Sequence, residues 1–450
     1  MNRIWSTLRD LKDYPSAILG LVIVLALVIV SIYTVLALPY SEAVRLWRGS
    51  EEDWYNVPKL AAPAWLNVFA THDRPETITV SSQDETVEKT VMVETEEMTD
   101  ISFPLTFDYT YDDFPREITV FFNTQYAEKA PHISVSWLTP DGRELRVGTV
   151  SVEAQTVSYR VSQDSKLQRR LGGVVPHIGL LADPESDPEA PVALEGTYTM
   201  QISALTFEPD SDVDAELVLY GQVHGFAGTD HRRRDLMVAL LWGTPVALAF
   251  GLLAAVGTTV TTMLISGIAT WFGGWVDELI QRVTEVNMVI PLLPILIMIG
   301  TFYSRSIWLM LGVLILLNIF GAGIKTYRAI FLQVKESPYI EAAQAYGATN
   351  SRLIFGYLIP RIIPMLIPQL VVLIPTFVFI EASLSVLGLG DPVLPTWGKI
   401  ISEARSNGAL YQGLYYWVLE PSLLLMVTGL SFSLLGFSLD RVFNPRLRGL

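Results

Sequence analysis

The chain contains no cysteine among its 450 residues, which excludes disulfides, thiolate zinc sites, iron–sulfur clusters and thiol catalysis together. It also lacks a Gly-x-x-x-x-Gly-Lys-Ser/Thr loop: its one Gly-Lys pair, Gly398-Lys399, is followed by Ile400, with no glycine loop before it, so no phosphate cradle of that kind is encoded. There is no Gly-x-Ser-x-Gly elbow for a serine hydrolase. The five histidines, His72, His132, His177, His224 and His231, match no metal-ligand spacing. No catalytic, cofactor-binding or metal-ligating residue is therefore assigned, and ATP hydrolysis within this chain is not expected.

Charge is scarce too, and unevenly spread. Half the residues are hydrophobic, 17% are charged and mean hydropathy is +0.38. That composition departs from a soluble average. From Ser41 to Ala227 there are 32 Asp/Glu against 13 Lys/Arg, net −19, while the remainder has 14 against 18, net +4. A polar, acidic block joined to an apolar remainder reads as a water-facing domain on a membrane domain. The acidic balance also argues against nucleic acid as a partner.

A helix needs about 20 residues to cross the hydrocarbon core, and six stretches of suitable length lack charge. They are Ala17 to Leu38, Leu236 to Val276, Val286 to Ser304, Ser306 to Ile324, Ile362 to Ile380 and Pro421 to Leu439. The first reads as an uncleaved anchor, being long for a signal peptide and without a small-x-small cleavage site. The second run is 41 residues, too long for one crossing, so its end "WFGGWVD" is expected to turn along the interface.

Six spans place both termini on one side. With that side cytoplasmic, inner segments carry Arg3, Arg9, Lys12, Arg282, Lys325, Arg328, Lys335, Arg352, Arg361, Arg441, Arg446 and Arg448, and short outer loops carry Arg305, Lys399 and Arg405. The bias orients the chain with N- and C-termini inside. Arg232 to Arg234 run against it, as residues beside a long translocated domain can.

The acidic block alternates with period two in "REITVFFNTQY", "HISVSWLT", "ELRVGTVSV", "GTYTMQISALTF" and "AELVLYGQV", the pattern of half-buried strands. Turn signals at Pro140 to Gly142 and Asp183 to Pro191 separate them. A β-sandwich from about Thr77 to Gln222 is expected. The domain plan is thus a tail at 1–16, a first span at 17–39, an extracytoplasmic β domain at 40–227 and five further helices in 228–450.

One charged, alanine-rich stretch, "ESPYIEAAQAYGATNSRLIFGYLIP" from Glu336 to Pro360, interrupts the apolar runs. Ser337 suits an N-cap and Pro338 the first helical position. Gly347 suits the left-handed residue after a helix, and Thr349 or Asn350 can cap a second helix that carries Arg352 towards Pro360. Alanines 342, 343 and 345 leave backbone open to close approach, and Glu341 and Arg352 offer charge for pairing across a contact. These residues alone fit a docking element or an ordinary connector between spans.

The stretch resembles the EAA loop of ABC importer permeases in Glu341, Ala342, Ala343, Gly347 and the closing "YLIP", with Tyr357 and Ile359 as departures in side chain and the spacing intact. "FGGWVDELIQRVTEV" (Phe272 to Val286), "EASLSVLGLG" (Glu381 to Gly390), "PTWGKII" (Pro395 to Ile401) and "NPRL" (Asn444 to Leu447) resemble the C-type subunits of dipeptide, oligopeptide and nickel importers. "GTDHRRRDL" does so through Gly228, Thr229, Asp230, Arg234 and Asp235, with Arg233 where that subfamily usually has glycine. Glu381, Gly388, Gly390, Trp397 and Gly398 are the matching motif positions downstream. The resemblance covers about 1–40 and 224–450. The acidic domain stands outside it, and docking of a binding protein, cover for a pore mouth and contact with the envelope are its candidate roles, docking first.

The resemblance implies a type I ABC importer permease fold in a prokaryotic plasma membrane. It implies as partners a second homologous permease subunit, two cytoplasmic ATPases holding ATP and Mg, and an extracytoplasmic solute-binding protein. The EAA helix would sit in a groove of one ATPase and shift the spans between inward-open and outward-open arrangements. Pro291 and Pro294 in the third span and Pro360, Pro364, Pro368 and Pro375 in the fifth suggest kinks, with or without a gating role. An ion-coupled carrier would need ionisable groups deep in its spans, whereas Lys325, Arg328, Glu381 and Glu420 fall at span ends. A receptor using the β domain alone leaves five apolar spans unexplained. Peptide is the expected cargo, with nickel or oligosaccharide as alternatives.

Overall fold

The computed structural model describes residues 14–49, 53–70, 72–95, 98–152, 154–187 and 189–443. Arg3, Arg9, Lys12 and the terminal 444–450 segment, with its "NPRL" motif and Arg448, lie outside them. The chain divides into two units, Met1–Arg48 with Val238–Leu450, and Gly49–Met237. Residues 40–48 thus fall with the helices and 228–237 with the strands, the reverse of the boundaries read from sequence. The reasons are local. Tyr40–Arg48 is an amphipathic helix that buries Ala43 and Trp47, and the Thr229 backbone N–H donates to Ala61 O at 2.9 Å.

The helical unit holds α1 (Pro15–Ala37), α2 (Tyr40–Arg48), α3 (Leu236–Phe272), α4 (Gly274–Val289), α5 (Leu292–Phe302), α6 (Ile307–Ile319), α7 (Ala322–Lys335), α8 (Pro338–Ala345), α9 (Asn350–Leu389), α10 (Trp397–Ser406) and α11 (Tyr416–Phe443). Among the described residues α1, α3, α9 and α11 are each long and apolar enough to cross a membrane, and the bent pairs α4–α5 (76°) and α6–α7 (46°) raise the number of possible spans to six. Small residues set the packing, as between helices that share lipid as solvent. A Cβ on Gly20 of α1 would lie 2.7 Å from Ser431 O of α11, and one on Gly251 of α3 would lie 2.7 Å from Val378 of α9.

Breaks occur where the backbone demands them. Gly273 and Gly274 adopt φ of 63° and 52°, ending α3 and starting α4. Pro291 sits at the N-cap of α5, in the bend itself, and Pro294 falls in the first turn of α5. Neither kinks the interior of a helix, because first-turn N–H groups have no intrahelical acceptor to lose. Between α6 and α7, Thr262 donates to Ile319 O at 2.9 Å and Ser266 to Ile324 O at 3.2 Å. Hydroxyls of α3 thus satisfy carbonyls beside the break, which apolar surroundings would otherwise penalise.

The second unit is a sandwich of two antiparallel sheets. In chain order the strands are β1 (Ile78–Ser81), β2 (Thr90–Thr95), β3 (Met98–Tyr109), β4 (Glu117–Gln125), β5 (His132–Leu138), β6 (Glu144–Ser151), β7 (Thr156–Arg160), β8 (Gly196–Thr206) and β9 (Asp212–Tyr220). One sheet has the order β1-β9-β4-β7 and the other β2-β3-β8-β5-β6. Alternate residues of both fill one core, including Phe103, Leu105, Val120, Phe122, Trp137, Tyr198, Ile202 and Leu217. Trp137 stays buried because its indole N–H donates to Leu180 O at 3.1 Å, and the Tyr198 hydroxyl donates to Leu194 O at 2.7 Å. All five strands anticipated from alternation are present. The 12-residue β3 was missed: Pro104 disguises it, and is accommodated because β2 pairs no further than Ser102, leaving one side of β3 open there.

Candidate functional site

The 336–360 stretch builds a helix, a tight turn and the start of a long helix. Helix α8 begins at Pro338, its first residue, and ends in a paired closure: Gly347 N–H donates to Gln344 O at 2.9 Å and Ala348 N–H to Ala343 O at 3.0 Å. Gly347 has φ 78°, so glycine is what this closure needs. Ser337 holds the N-cap position, yet its side chain does not cap; the hydroxyl donates backward to Gln333 O at 3.4 Å. Thr349 does cap, accepting the Arg352 N–H at 3.5 Å. The following helix is not short. It continues past Pro360 as far as Leu384 and a final π-helical turn, Ser385–Leu389, in which Gly388 leaves helical geometry, and its first π-helical stretch, Leu353–Leu358, lies just before Pro360. A wider helical turn shifts the hydrogen-bond register before a proline that cannot donate, so Pro360 does not end this helix. Pro364, Pro368 and Pro375 lie inside it.

One side of α8 is fixed and the other is free. Ile340 is fully buried with Phe331, Leu353, Ile354 and Leu358, and Ala343 packs partly on the same cluster. Glu341, Ala342, Ala345 and Arg352 are exposed, and Tyr346 is 92% exposed. Among the described residues Glu341 and Arg352 make no ion pair. The ends of this element are tied to α3. Lys335 Nζ donates to Thr270 O at 3.0 Å and Trp271 O at 2.9 Å, and the Trp271 indole donates to Asn350 Oδ1 at 3.2 Å. The last carbonyls of α3 accept a cation, the favoured charge at a helix C-terminus. Nearby, Arg328 of α7 grips Asp277 of α4 through two nitrogens, Nε at 2.8 Å and Nη2 at 2.5 Å.

The downstream motif positions also meet. Glu381 is buried and accepts the Ser385 hydroxyl at 2.8 Å, and Ser385 lies 3.4 Å from the Thr396 hydroxyl. Trp397, fully buried, donates to Leu240 O at 2.9 Å. A Cβ on Gly398 would lie 2.6 Å from Ala382 O, and one on Gly390 would lie 2.7 Å from Ser385 Oγ. Gly388 takes φ 84°. Gly243, which the sequence did not single out, faces the same tryptophan: a Cβ there would lie 2.3 Å from Trp397 Cδ1. Only the folded contact reveals that requirement.

In the other unit, Gly228 to Asp235 form a closed turn. Gly228 has φ 70°. Thr229 Oγ1 donates to Pro58 O at 2.7 Å and accepts the Ala61 N–H at 2.9 Å. Asp230 and Arg234 are a buried pair, Nε to Oδ2 at 2.6 Å, with Asp230 Oδ1 accepting the Arg232 and Arg234 N–H groups. Asp235 accepts the Met237 N–H at 2.8 Å at the start of α3. Arg233 adopts φ 67°, the left-handed region that glycine occupies without strain. Its guanidinium donates to Val57 O at 2.7 Å and to Glu117 at 3.0 Å, and lies 4.0 Å from the Tyr220 ring centre. Burial raises the Tyr220 pKa to about 12.

Residues 262–449 match the family described as binding-protein-dependent transport system inner membrane component. The chain is 29% identical over 224 residues to the dipeptide transport system permease protein DppC of Alkalihalophilus pseudofirmus, covering 49% of this chain and 72% of that one. It is 30% identical over 225 residues to the glutathione transport system permease protein GsiD of Pectobacterium atrosepticum, covering 49% and 72%. With the oligopeptide transport system permease protein OppC of Bacillus subtilis it shares 28% over 224 residues, again 49% and 72%. The chain therefore belongs to the family of binding-protein-dependent transport system inner membrane components, the ABC importer permeases.

Proposed function

We propose that this chain is the permease subunit of an ATP-driven peptide importer, and that α8 is the element through which a cytoplasmic ATPase moves it. The observation that carries this reading is the two-sided character of α8. Ile340 anchors it to α7 and α9, Lys335 and Asn350 tie its flanks to the end of α3, and it offers a partner Glu341, small alanines and Tyr346. A groove closing on that face would move three helices together. Arg352, exposed on the next turn, adds a donor for an acidic partner.

In this account each bent pair is one span, giving six, with both termini cytoplasmic and the β unit outside the membrane. The membrane is that of a prokaryotic cell. Lys325, Arg328, Lys335, Arg352 and Arg361 then gather on the cytoplasmic side, as the positive-inside bias favours, and the net −19 block between 41 and 227 stays in water. A second permease completes the pathway, two ATPases supply ATP and Mg chemistry, and an external binding protein delivers peptide. The names of three relatives with peptide or glutathione cargo support the choice of peptide.

The test is transport by the reconstituted complex in proteoliposomes. Glu341→Lys and Gly347→Pro are each expected to lower ATP-driven peptide uptake about tenfold or more, the scale of a coupling free energy of roughly 1–3 kcal/mol, while the β unit keeps its proteolytic resistance. Parental uptake in both variants would contradict the assigned role of α8.

A further inference from the structure

The outer face of the sheet β1-β9-β4-β7 carries a groove of about 530 Å³. Its volume falls within the range of about 300–1,000 Å³ that suits small organic ligands. Sheet register sets its floor. Glu216 of β9 lies between Ser81 of β1 and Phe121 of β4, and Phe121 pairs onward with Ser158 of β7. The next row pairs Asp214 with Asn123 and Asn123 with Thr156. Tyr55 stands over this floor, its ring 5.2 Å from that of Phe121 at 78°. Two rings at right angles make an open aromatic corner.

The carboxylates here differ in what they already bind. Asp214 accepts the Ser82 hydroxyl at 2.9 Å, Gln83 Nε2 at 3.4 Å and Lys89 Nζ at 3.3 Å, and Lys89 also binds Asp212. Glu117, on the same face, is paired with Arg233 at 3.0 Å. Glu216 has only the Tyr55 hydroxyl, at 3.1 and 3.4 Å to its two oxygens, and among the described residues it forms no ion pair. Among the described residues its charge therefore has no ionic counterpart, and it lies in the groove that the Tyr55 and Phe121 rings also line. A cation placed there gains a charge-assisted hydrogen bond and a cation–π contact at once. A neutral saccharide could stack on a ring but would leave that charge without a counterion.

We propose that this groove binds the ammonium or guanidinium group of a short peptide, with Glu216 as counterion, Tyr55 and Phe121 as the aromatic corner, and the Asn123 and Gln83 amides as partners for the adjoining peptide backbone. The groove lies in the 49–237 unit, outside the residues 262–449 that match the permease family. The assignment does not rest on the importer reading, because binding is measured on this chain alone.

The experiment is isothermal titration of the full-length chain in nanodiscs with trilysine amide, against triglutamate and maltotriose. Trilysine is expected to bind saturably and the other two not. Glu216→Gln, nearly isosteric and on the face of the sheet, is expected to weaken trilysine about tenfold, the loss of one charge-assisted contact, with an unchanged unfolding midpoint. Phe121→Leu, which keeps bulk and removes the π face, is expected to weaken it less. Equal trilysine affinity in the parent and Glu216→Gln would overturn the site, and so would maltotriose binding without trilysine binding. Loss of peptide binding with normal uptake by the assembled complex would leave the transport reading untouched.

Discussion

Arg233 shows how one residue can work against its own backbone. A left-handed φ of 67° costs a non-glycine residue about 1 kcal/mol or more. Its guanidinium offsets that cost with a carbonyl, a carboxylate whose side chain is 19% exposed, and a tyrosine face. The expected order of β-unit stability is parent, then Arg233→Gly, then Arg233→Ala. Glycine loses the contacts and relieves the strain, whereas alanine loses the contacts and keeps it, so the two variants should differ by about 1 kcal/mol. Denaturant unfolding followed by tryptophan fluorescence checks it, and an Arg233→Gly chain that unfolds later than the parent would deny the clamp.

His177 gives a second test at this scale. Burial lowers its pKa below the ordinary histidine value, against a weaker opposing pull from Glu117. A depressed histidine contributes stability that is present above its unfolded pKa of about 6.5 and is lost as pH falls through the folded value. The midpoint of β-unit unfolding should therefore drop as pH is lowered from about 7 towards 5. His177→Gln should flatten that slope; an unaltered slope would mean that another group sets it.

Among the elements, α3 and α10 meet through a contact that allows no added carbon. With Trp397 buried and its indole committed to Leu240 O, Gly243→Ala must displace one helix or the ring. Overpacking of this kind costs about 1–3 kcal/mol, so the helical unit should melt several degrees earlier in detergent, while the 49–237 unit melts as before. What the sequence made legible at this scale follows from periodicity. β4, β5, β6, β8 and β9 each turn alternate apolar residues into the core, so their alternation was plain even though β4 and the end of β9 are buried on both faces in part, and α8 could be read from Pro338 and Gly347. β3 was hidden by Pro104. The continuity of α9 was hidden by Pro360 and by a π-helical stretch, because neither leaves a signature that propensity can read. Arg233 was visible as a departure, but its contacts with Val57, Glu117 and Tyr220 join residues up to 176 positions apart, which no local pattern encodes.

For the whole molecule, the division of charge was the most informative sequence feature. A net −19 block and a net +4 remainder anticipated two units of different chemistry, and the structure resolves a β-sandwich and an array of apolar helices. The exchange of ten or so residues at each boundary went unread, because 40–48 and 228–237 are placed by contacts rather than by composition. Coupling also belongs to this scale. If α8 is the handle, Ile340, Lys335 and Asn350 transmit its motion, and Ile340→Ala should weaken transport while leaving both units folded. Loss of a buried aliphatic side chain at a helix junction loosens the link without altering the exposed face.

The most direct test of the central claim is to purify the chain gently from its native membrane and identify by mass spectrometry what accompanies it. The account predicts two ATPase subunits and a second permease, with Glu341→Lys and Gly347→Pro releasing the ATPases and retaining the permease. Recovery of the chain alone, with uptake that persists when ATP is depleted and an ion gradient is kept, would contradict it.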